Sequence, residues 1–156
     1  LWKPTHSIFP FSKVLKHNDD FESLMIEYKD KMERYEVTMT RMFSFIDSNA
    51  FLYEPTFLWK DKQSIYHKKV YPSDLDSIPV HEHNPEGLKL VHEIKERIDA
   101  MCLANGAIHL QIGKDYPYLQ TRTKETKALL CSLKKQFDPK NLFNPGSLGF
   151  DPVNGN

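Results

Sequence analysis

Several features that would place a chain in a specialised class are missing from this sequence. No apolar run approaches the ~20 residues needed to span a bilayer, and no signal peptide is visible. The 21 lysines and arginines balance the 21 aspartates and glutamates, so no basic face is indicated for nucleic acid. No internal repeat or low-complexity segment stands out. We therefore expect no membrane span and no nucleic-acid partner.

Cysteine is also scarce. Cys102 and Cys131 are too far apart to form a CxxC pair, so no zinc or redox motif is indicated. Both lie in helical apolar patterns, which favours buried free thiols and a cytoplasmic location. A disulfide or a reactive nucleophile is the alternative. His81 and His83 flank a glutamate in a polar loop, but no third ligand follows at a typical spacing, so we expect no metal site.

The length and composition indicate one globular domain. The chain has 156 residues, of which 40% are hydrophobic and 27% charged, and this balance is typical of a folded chain with a core. It starts at Leu1 rather than Met, in a stretch rich in Trp, Pro and Phe. We expect from this start that an N-terminal part is missing.

Apolar periodicity in the first half predicts a helix and a hairpin. Residues 8–14 indicate an extended piece, and Asn18 or its neighbour is a candidate helix cap. Apolar residues then recur at three- and four-residue steps, which indicates a helix stripe: Phe21, Leu24, Met25, Tyr28, Met32 and Tyr35. Residues 37–46 and 51–59 are β-branched and aromatic around a polar turn, which predicts an antiparallel hairpin. Pro55 lacks an N–H, so a bulge or an unpaired edge is expected there.

The second half predicts two more helices around a strand. Residues 60–83 are predicted to form a long polar loop, which contains either functional residues or a short helix of its own. Asn84 and the proline after it start a helix. The apolar face of that helix is predicted from Leu88, Val91, Ile94, Ile98, Met101 and Cys102. Residues 107–112 read as a strand, and Thr123 starts a last helix. The inward residues of the last helix are predicted to be Leu129, Leu130, Leu133 and Phe137.

These elements follow the order strand, helix, strand, strand, helix, strand, helix and tail. This alternation predicts an α+β fold, with an antiparallel sheet and helices packed on one of its faces. A ferredoxin-like sheet is the natural topology for the order.

Two polar side chains stand out on the predicted strand at 107–112. His109 and Gln111 would share one face because alternate strand residues point the same way, while Ile108 would face the core. Lys114 then adds a cation at the end of the strand. The pattern indicates a lined pocket, and a solvated outer face is the alternative.

The ending at residues 137–150, FDPKNLFNPGSLGF, is dense in turn formers but keeps four large apolar residues. These are Leu142, Phe143, Leu148 and Phe150. Asn144, Pro145 and Gly146 predict a tight turn that brings backbone close to a neighbouring group. The pattern favours a tail held against a surface, and a docked structural tail is the plainer interpretation.

Three further residues are candidates for a substrate pocket. Arg41 shares a strand face with two phenylalanines, where a guanidinium would suit a carboxylate, although an edge salt bridge fits equally well. Tyr53 and Tyr116 are candidates to line the same pocket, and aromatic packing is their alternative role.

The segment DPKNLFNPGSLG resembles the terminal signature of FAD-linked oxidases in the vanillyl-alcohol oxidase and 4-cresol dehydrogenase superfamily. In that family, a "DP…NPG" ending closes the chain beside the isoalloxazine ring. GAIHLQIGK is similar to the polar strand that precedes the final helix there, and FLYEPTFLWKD is similar to the family's substrate-domain hairpin. The resemblance spans nearly the whole chain.

The resemblance implies roles for the candidate residues. His109, Gln111 and Lys114 would be catalytic, and Asn144, Pro145 and Gly146 would contact the FAD. Residues 1–136 would form the substrate domain, and residues 137–156 would form a tail near the flavin. FAD-dependent oxidation of a small alcohol, a 2-hydroxy acid or a 4-alkylphenol is then expected.

The same resemblance implies the partners. These are a small-molecule substrate, an N-terminal FAD-binding domain and an electron acceptor, either oxygen or a cytochrome-like carrier, with a homodimer as a further option. The histidine-rich motifs of the metal-dependent 2-hydroxyacid dehydrogenases are absent, so no active-site metal is implied. The alternative is a non-catalytic α+β module that binds a small ligand or a partner protein.

Overall fold

The chain has an α+β fold with a four-stranded antiparallel sheet. The computed structural model describes residues 1–70, 73, 77–109, 111, 113–116 and 118–150. The strands are β1 (Trp2–Pro4), β2 (Ser7–Pro10), β3 (Val37–Ile46) and β4 (Ala50–Trp59). The helices are α1 (Phe11–Arg34), α2 (Ile65–Val70), α3 (Pro85–Ala104) and α4 (Lys124–Phe137). Short 3-10 turns lie at Tyr118–Thr121 and Ser147–Gly149.

The predicted hairpin is confirmed by β3 and β4. The two strands pair without interruption from Val37 opposite Trp59 to Ile46 opposite Ala50. Asp47 in the connecting turn has a positive φ of 54°, a conformation that aspartate tolerates better than most residues. The hairpin supplies the central strand and one edge of the sheet.

Pro55 explains why the other neighbour of β4 is divided into β1 and β2. Both short strands follow one register along β4, so no residue is inserted between them. The Thr5 N–H donates to the Pro55 carbonyl over 3.0 Å. Pro55 has no N–H to return, so the ladder breaks at this point. The expected interruption is confirmed, and it takes the form of an unpaired site rather than a bulge.

Helix α1 begins earlier than the sequence predicts. Its first residue is Phe11, and the extended Pro10 precedes it without a side-chain cap. The predicted start near Asn18 was therefore wrong, and so was the extended structure beyond Pro10. The reason is that Val14 and His17 continue the buried stripe of Phe21 backward at helical spacing.

Helices α1 and α3 cover one face of the sheet and enclose the core with it. Asn84 caps α3 as predicted, because its side-chain oxygen accepts the Gly87 N–H over 2.9 Å. Leu90 rather than Leu88 faces the core from the first turns of α3. The fully buried side chains of this core include Phe9, Phe21, Tyr53, Phe57, Val91, Ile94 and Ile98.

The inward face predicted for α4 was wrong. None of the residues of α4, which the structure describes in full, is buried, and Leu129, Leu133 and Phe137 are exposed. Helices α1 and α3 already fill the covered face of the sheet, so α4 has no core to enter. Cys131 on α4 is accordingly part-exposed instead of buried, and both cysteines are free.

The predicted strand at 107–112 is represented in the described residues by one antiparallel bridge, between Ile8 and Ile108. Residues 110 and 112 lie outside the described part of the chain. The predicted facing was inverted: Ile108 is 43% exposed, whereas Ala107 and His109 are buried. Ala107 joins the main core, so alternation turns Ile108 to the uncovered face.

The bridge places residue 108 beside β2, followed across the sheet by β4 and β3. This order matches a ferredoxin-like sheet. The fourth strand is reduced to a single bridge among the described residues, so the ferredoxin-like arrangement stays a prediction.

Candidate functional site

The tail returns to the loop that follows the predicted polar strand. The Leu148 N–H donates to the Gly113 carbonyl over 2.6 Å. A cavity of about 450 Å³ lies beside this contact, between the tail, the end of α4 and Gly113. We call it the tail groove. Its lining residues are Gly113, Lys134, Phe137, Asp138, Phe143, Asn144, Ser147, Leu148 and Phe150. The two segments singled out in the sequence are therefore in contact.

The turn predicted at residues 144–146 is confirmed. The Ser147 N–H donates to the Asn144 carbonyl over 3.0 Å, and Gly146 has a φ of 81°. Proline followed by a glycine at positive φ is the pattern of a type II turn. Asn144 itself also has a positive φ, of 46°. It lines the tail groove together with Ser147, whereas Pro145 and Gly146, which the structure also describes, are not among the lining residues.

Asp138 holds the start of the tail. Its carboxylate accepts the backbone N–H of Leu142 over 2.8 Å and that of Phe143 over 2.9 Å. It also forms an ion pair with Lys134, whose hydrogen bond holds the pKa of Asp138 below its usual range. The backbone is fixed by these bonds although the apolar side chains are not: Leu142 and Phe143 are each 71% exposed. The expectation that all four apolar tail residues are held was wrong, since only Phe150 is buried.

His6, His109 and Tyr116 form a buried group that we call the His–Tyr cluster. Nδ1 of His109 donates to the His6 carbonyl over 2.9 Å. Nε2 of His6 accepts the backbone N–H of Gln111 over 3.0 Å. The Tyr116 ring lies 4.3 Å from the His6 ring and 5.1 Å from the His109 ring, between centroids. These bonds assign the proton of His109 to Nδ1 and leave Nε2 as a lone pair.

The His–Tyr cluster is uncharged near neutral pH. Burial, together with the nearby His109 and Lys95, lowers the pKa of His6 to about 4. Burial also lowers the pKa of His109, partly opposed by its bond to the His6 carbonyl. Burial raises the pKa of Tyr116 to about 12, although a hydrogen bond from the His6 backbone opposes the rise. Within the described residues, Nε2 of His109 is buried without a hydrogen-bond partner.

A buried cation lies against the His–Tyr cluster. Nζ of Lys95 donates to Asp99 over 2.6 Å and to the Asp115 carbonyl over 2.9 Å. It also lies 5.3 Å from the centre of the Tyr116 ring, within reach of a cation–π contact. Lys95 and Asp99 were missed in the sequence. A signal was present, because Lys95 interrupts the apolar face of α3 one turn after Val91.

The three predicted catalytic residues do not share one cavity. His109 is enclosed in the His–Tyr cluster, and Gln111 is exposed. Lys114 lines a second cavity of about 420 Å³, together with Asp99 and Tyr116. The loop at 113–116 separates this second cavity from the tail groove, since Gly113 lines one and Lys114 the other.

Arg41 and Tyr53 lie apart from Tyr116. Arg41 forms a two-pronged ion pair with Glu22 of α1, and its guanidinium lies 5.0 Å from the Phe21 ring centre. Tyr53 is 1% exposed in the main core, where burial raises its pKa to about 12. The structure thus shows Arg41 in a salt bridge and Tyr53 in aromatic packing, the alternatives that the sequence left open.

His81 and His83 line an open cavity of about 600 Å³ near the start of α3. His83 lies 3.0 Å from the Asp61 carboxylate. Burial alone would raise the pKa of Asp61, but bonds from the Asn84 N–H, from His83 and from the Lys62 N–H lower it to about 2. In the part of the chain that the structure describes, no group of three or more His, Cys, Asp or Glu could hold a metal ion.

None of the helices among the described residues is both long and apolar enough to cross a lipid bilayer. Comparisons with protein families, with curated proteins and with solved structures found no match for the chain.

Proposed function

We propose that this chain forms the substrate domain and flavin-facing tail of an FAD-dependent oxidoreductase. The substrate would be a small alcohol, a 2-hydroxy acid or a 4-alkylphenol. The observation that carries the proposal is the bond between the Leu148 N–H and the Gly113 carbonyl. It joins the two segments that resemble the flavin-contacting elements of the vanillyl-alcohol oxidase superfamily, and it does so beside an apolar groove.

The residues of the tail groove fit one face of a flavin ring. Phe137 and Phe143 line the groove and expose their rings, and aromatic side chains stack readily on a planar ring. Asn144 and Ser147, the first and last residues of the turn, line the same groove. The described residues form no glycine-rich phosphate cradle at a helix start, so the phosphates of FAD would lie in a separate flavin-binding domain.

The chain's own residues would bind and orient the substrate and move its proton. A bound flavin supplies the hydride acceptor. His109 is held as a neutral imidazole whose buried Nε2 lone pair has no hydrogen-bond partner among the described residues. It would accept a hydroxyl proton once the His–Tyr cluster opens toward the bound substrate. Lys114 is an exposed cation directly after Gly113 of the tail groove, and it would attract an anionic substrate group toward the flavin. Gln111 is exposed and would orient the substrate by hydrogen bonding.

The decisive experiment is anaerobic reduction of the flavin-loaded protein that contains this chain, with a panel of alcohols, 2-hydroxy acids and 4-alkylphenols. We expect at least one substrate to bleach the oxidised flavin absorbance. His109→Asn keeps a donor at the position of Nδ1 but removes the Nε2 lone pair, so the reduction rate should fall by about 10²-fold or more. His81→Asn changes a histidine outside the His–Tyr cluster and serves as the matched control. Absence of bleaching with every substrate would refute the proposal.

One observation favours a second candidate, a non-catalytic module that binds a small ligand or a partner protein. His109 and Tyr116 direct their polar atoms at the backbone of His6, which is the geometry of structural support for a sheet edge. This candidate predicts that the protein neither binds flavin nor needs His109 for ligand binding. Flavin titration followed by fluorescence distinguishes the two candidates.

A further inference from the structure

The sheet has one covered edge and one open edge. At the covered edge, Ile8 and Ile108 exchange two backbone hydrogen bonds, of 2.8 and 3.0 Å. At the opposite edge, β3 pairs with β4 along its full length. No element among the described residues pairs with the outer side of β3. An unpaired strand edge is a template for another strand.

The backbone groups that point outward from β3 follow from the position of Pro55. Because Thr5 donates to the Pro55 carbonyl, the backbone of Pro55 points toward β1 and away from β3. Arg41 lies opposite Pro55 in the ladder. Two residues that face each other in an antiparallel ladder direct their backbone groups either both toward each other or both away. Because those of Pro55 point away from β3, the N–H and carbonyl of Arg41 point outward. By alternation the backbone groups of Phe43 and Phe45 point outward too.

Aromatic side chains are exposed along this open edge. Phe43 is 51% exposed and Phe45 is 75% exposed, on the same strand face as Arg41. Phe11 extends the patch, with its ring centroid 5.8 Å from that of Phe45. Natural edge strands commonly carry lysine, proline or a bulge that discourages pairing. The single charge on β3 is Arg41, whose guanidinium pairs with Glu22 of α1 and remains 25% exposed.

We propose that two copies of this chain associate through an antiparallel β3–β3 pair around a two-fold axis. The occupant is a second copy because this edge, with exposed aromatic rings and one cation, is self-complementary and can satisfy its own outward N–H and carbonyl groups. Assembly stops at two copies, since the bridge at Ile108 covers the other edge and prevents continuation into a fibre. The inference concerns assembly alone and is independent of the proposed flavin chemistry.

Charge selects the register of the pair. If the axis passed through Arg41, two guanidinium groups would face each other directly, which is destabilising. An axis at Phe45 would shorten the ladder, because β3 ends at Ile46. An axis at Phe43 sets Phe43 opposite the partner's Phe43, and it sets Arg41 opposite the partner's Phe45. That arrangement places a cation against an aromatic ring, a favourable contact.

The surface is large enough for a specific interface. The exposed parts of Phe11, Phe43 and Phe45 amount to roughly 300 Å² in each copy, since an aromatic side chain presents about 150–250 Å². Two copies, with the backbone of both paired strands added, reach on the order of 1,000 Å². That is the area at which specific interfaces separate from incidental contacts.

Sedimentation equilibrium of the 156-residue chain tests the proposal. We expect a dimer with a dissociation constant on the order of micromolar. Phe45→Lys sets a lysine opposite the partner's Arg41 at two symmetric positions, and the dissociation constant should rise at least about tenfold. Phe45→Glu sets a carboxylate there instead, so the constant should stay within about threefold of the wild-type value and rise with salt.

Leu129→Lys is the matched control, because Leu129 is 59% exposed on α4, and α4 lines the tail groove with Gly113 on the side of the covered edge. Its dissociation constant should equal that of the wild type. Phe43→Thr keeps strand propensity without adding charge and should weaken the dimer several-fold. A wild-type chain that remains monomeric at about 1 mM would overturn the proposal. Equal weakening by Phe45→Lys and Phe45→Glu, or by the control, would overturn it as well.

Discussion

His109 supports the backbone of His6 at the break between β1 and β2. The ladder to β4 is interrupted there by Pro55, and Nδ1 of His109 donates to the His6 carbonyl over 2.9 Å. Because the Thr5 N–H faces Pro55 on β4, the His6 carbonyl points away from β4. The His109 side chain thus supplies a hydrogen bond that a strand on the side of residue 108 would otherwise supply. The same bond fixes the tautomer of the histidine that the proposed chemistry needs.

Substitution of His109 should separate these two roles. His109→Ala leaves the buried His6 carbonyl without its donor and removes the ring contact with Tyr116. We expect the free energy of unfolding to fall by about 2–3 kcal/mol. His109→Asn retains a donor near Nδ1 and should cost about 1 kcal/mol less. Urea denaturation measures both, and equal losses would show that the bond to His6 contributes nothing.

The stability of the fold should fall in mild acid. His17 is 1% exposed, and among the described residues neither of its ring nitrogens has a hydrogen-bond partner. Burial lowers the pKa of His17 to about 4 from 6.5, against a smaller opposing effect of Asp20. The pKa of His6 is likewise lowered to about 4. Between about pH 6.5 and about pH 4, the unfolded chain binds more protons than the folded chain. The free energy of unfolding therefore falls as the pH falls through this range.

His17→Leu tests this dependence. Between about pH 7.5 and about pH 4.5, the wild type should lose roughly 2–3 kcal/mol more than the variant, since each such histidine contributes about 1.4 kcal/mol per pH unit. His92→Leu, at an exposed position on α3, should follow the wild type. Urea midpoints measured at both pH values provide the comparison. Parallel losses in His17→Leu and the wild type would contradict a buried, neutral His17.

The hairpin and α3 could be predicted because their signals are local. Strand composition on both sides of a polar turn defined β3 and β4 to within one residue. Asn84 and the proline after it marked the start of α3 through capping chemistry alone. Each of these signals depends on a few neighbouring residues, so no knowledge of the tertiary fold is required.

Which face of α4 is covered, and which face of the sheet residue 108 points to, could not be predicted from the sequence. Both depend on which other apolar residues already fill the core. An apolar stripe such as Leu129 and Leu133 shows that a helix has an apolar face, but not whether that face is covered. Likewise, side chains alternate between the two faces of the sheet at residues 107–109, but the sequence does not show which set points to the core. The packing of Ala107 against the core decided between them. His6 and Lys95 were missed for a related reason, since their partners lie far along the chain.

The ion pair between the buried Lys95 and the partly exposed Asp99, next to the His–Tyr cluster, should respond differently to removal of each partner. Asp99→Ala leaves the buried Lys95 without its carboxylate, and we expect the free energy of unfolding to fall by about 2–4 kcal/mol. Lys95→Met replaces the cation with an apolar chain of similar length, so the loss should be under about 1.5 kcal/mol. Thermal denaturation of both variants and of the double variant checks this order. A larger loss for Lys95→Met would mean that its contacts with Tyr116 and Asp115 outweigh the buried charge.

The tail should loosen when Asp138 is removed. Its carboxylate accepts the backbone N–H groups of Leu142 and Phe143, so Asp138→Ala should raise hydrogen exchange at both amides by at least about tenfold. The Lys134 bond keeps the pKa of Asp138 low. Protection of the two amides from exchange in the wild type should therefore persist below the ordinary titration range of aspartate. It should be lost as the pH falls through the lowered pKa. Asp30→Ala, at an exposed position on α1, is the control. Unchanged exchange in Asp138→Ala would mean that contacts of the tail other than the carboxylate order residues 142–143.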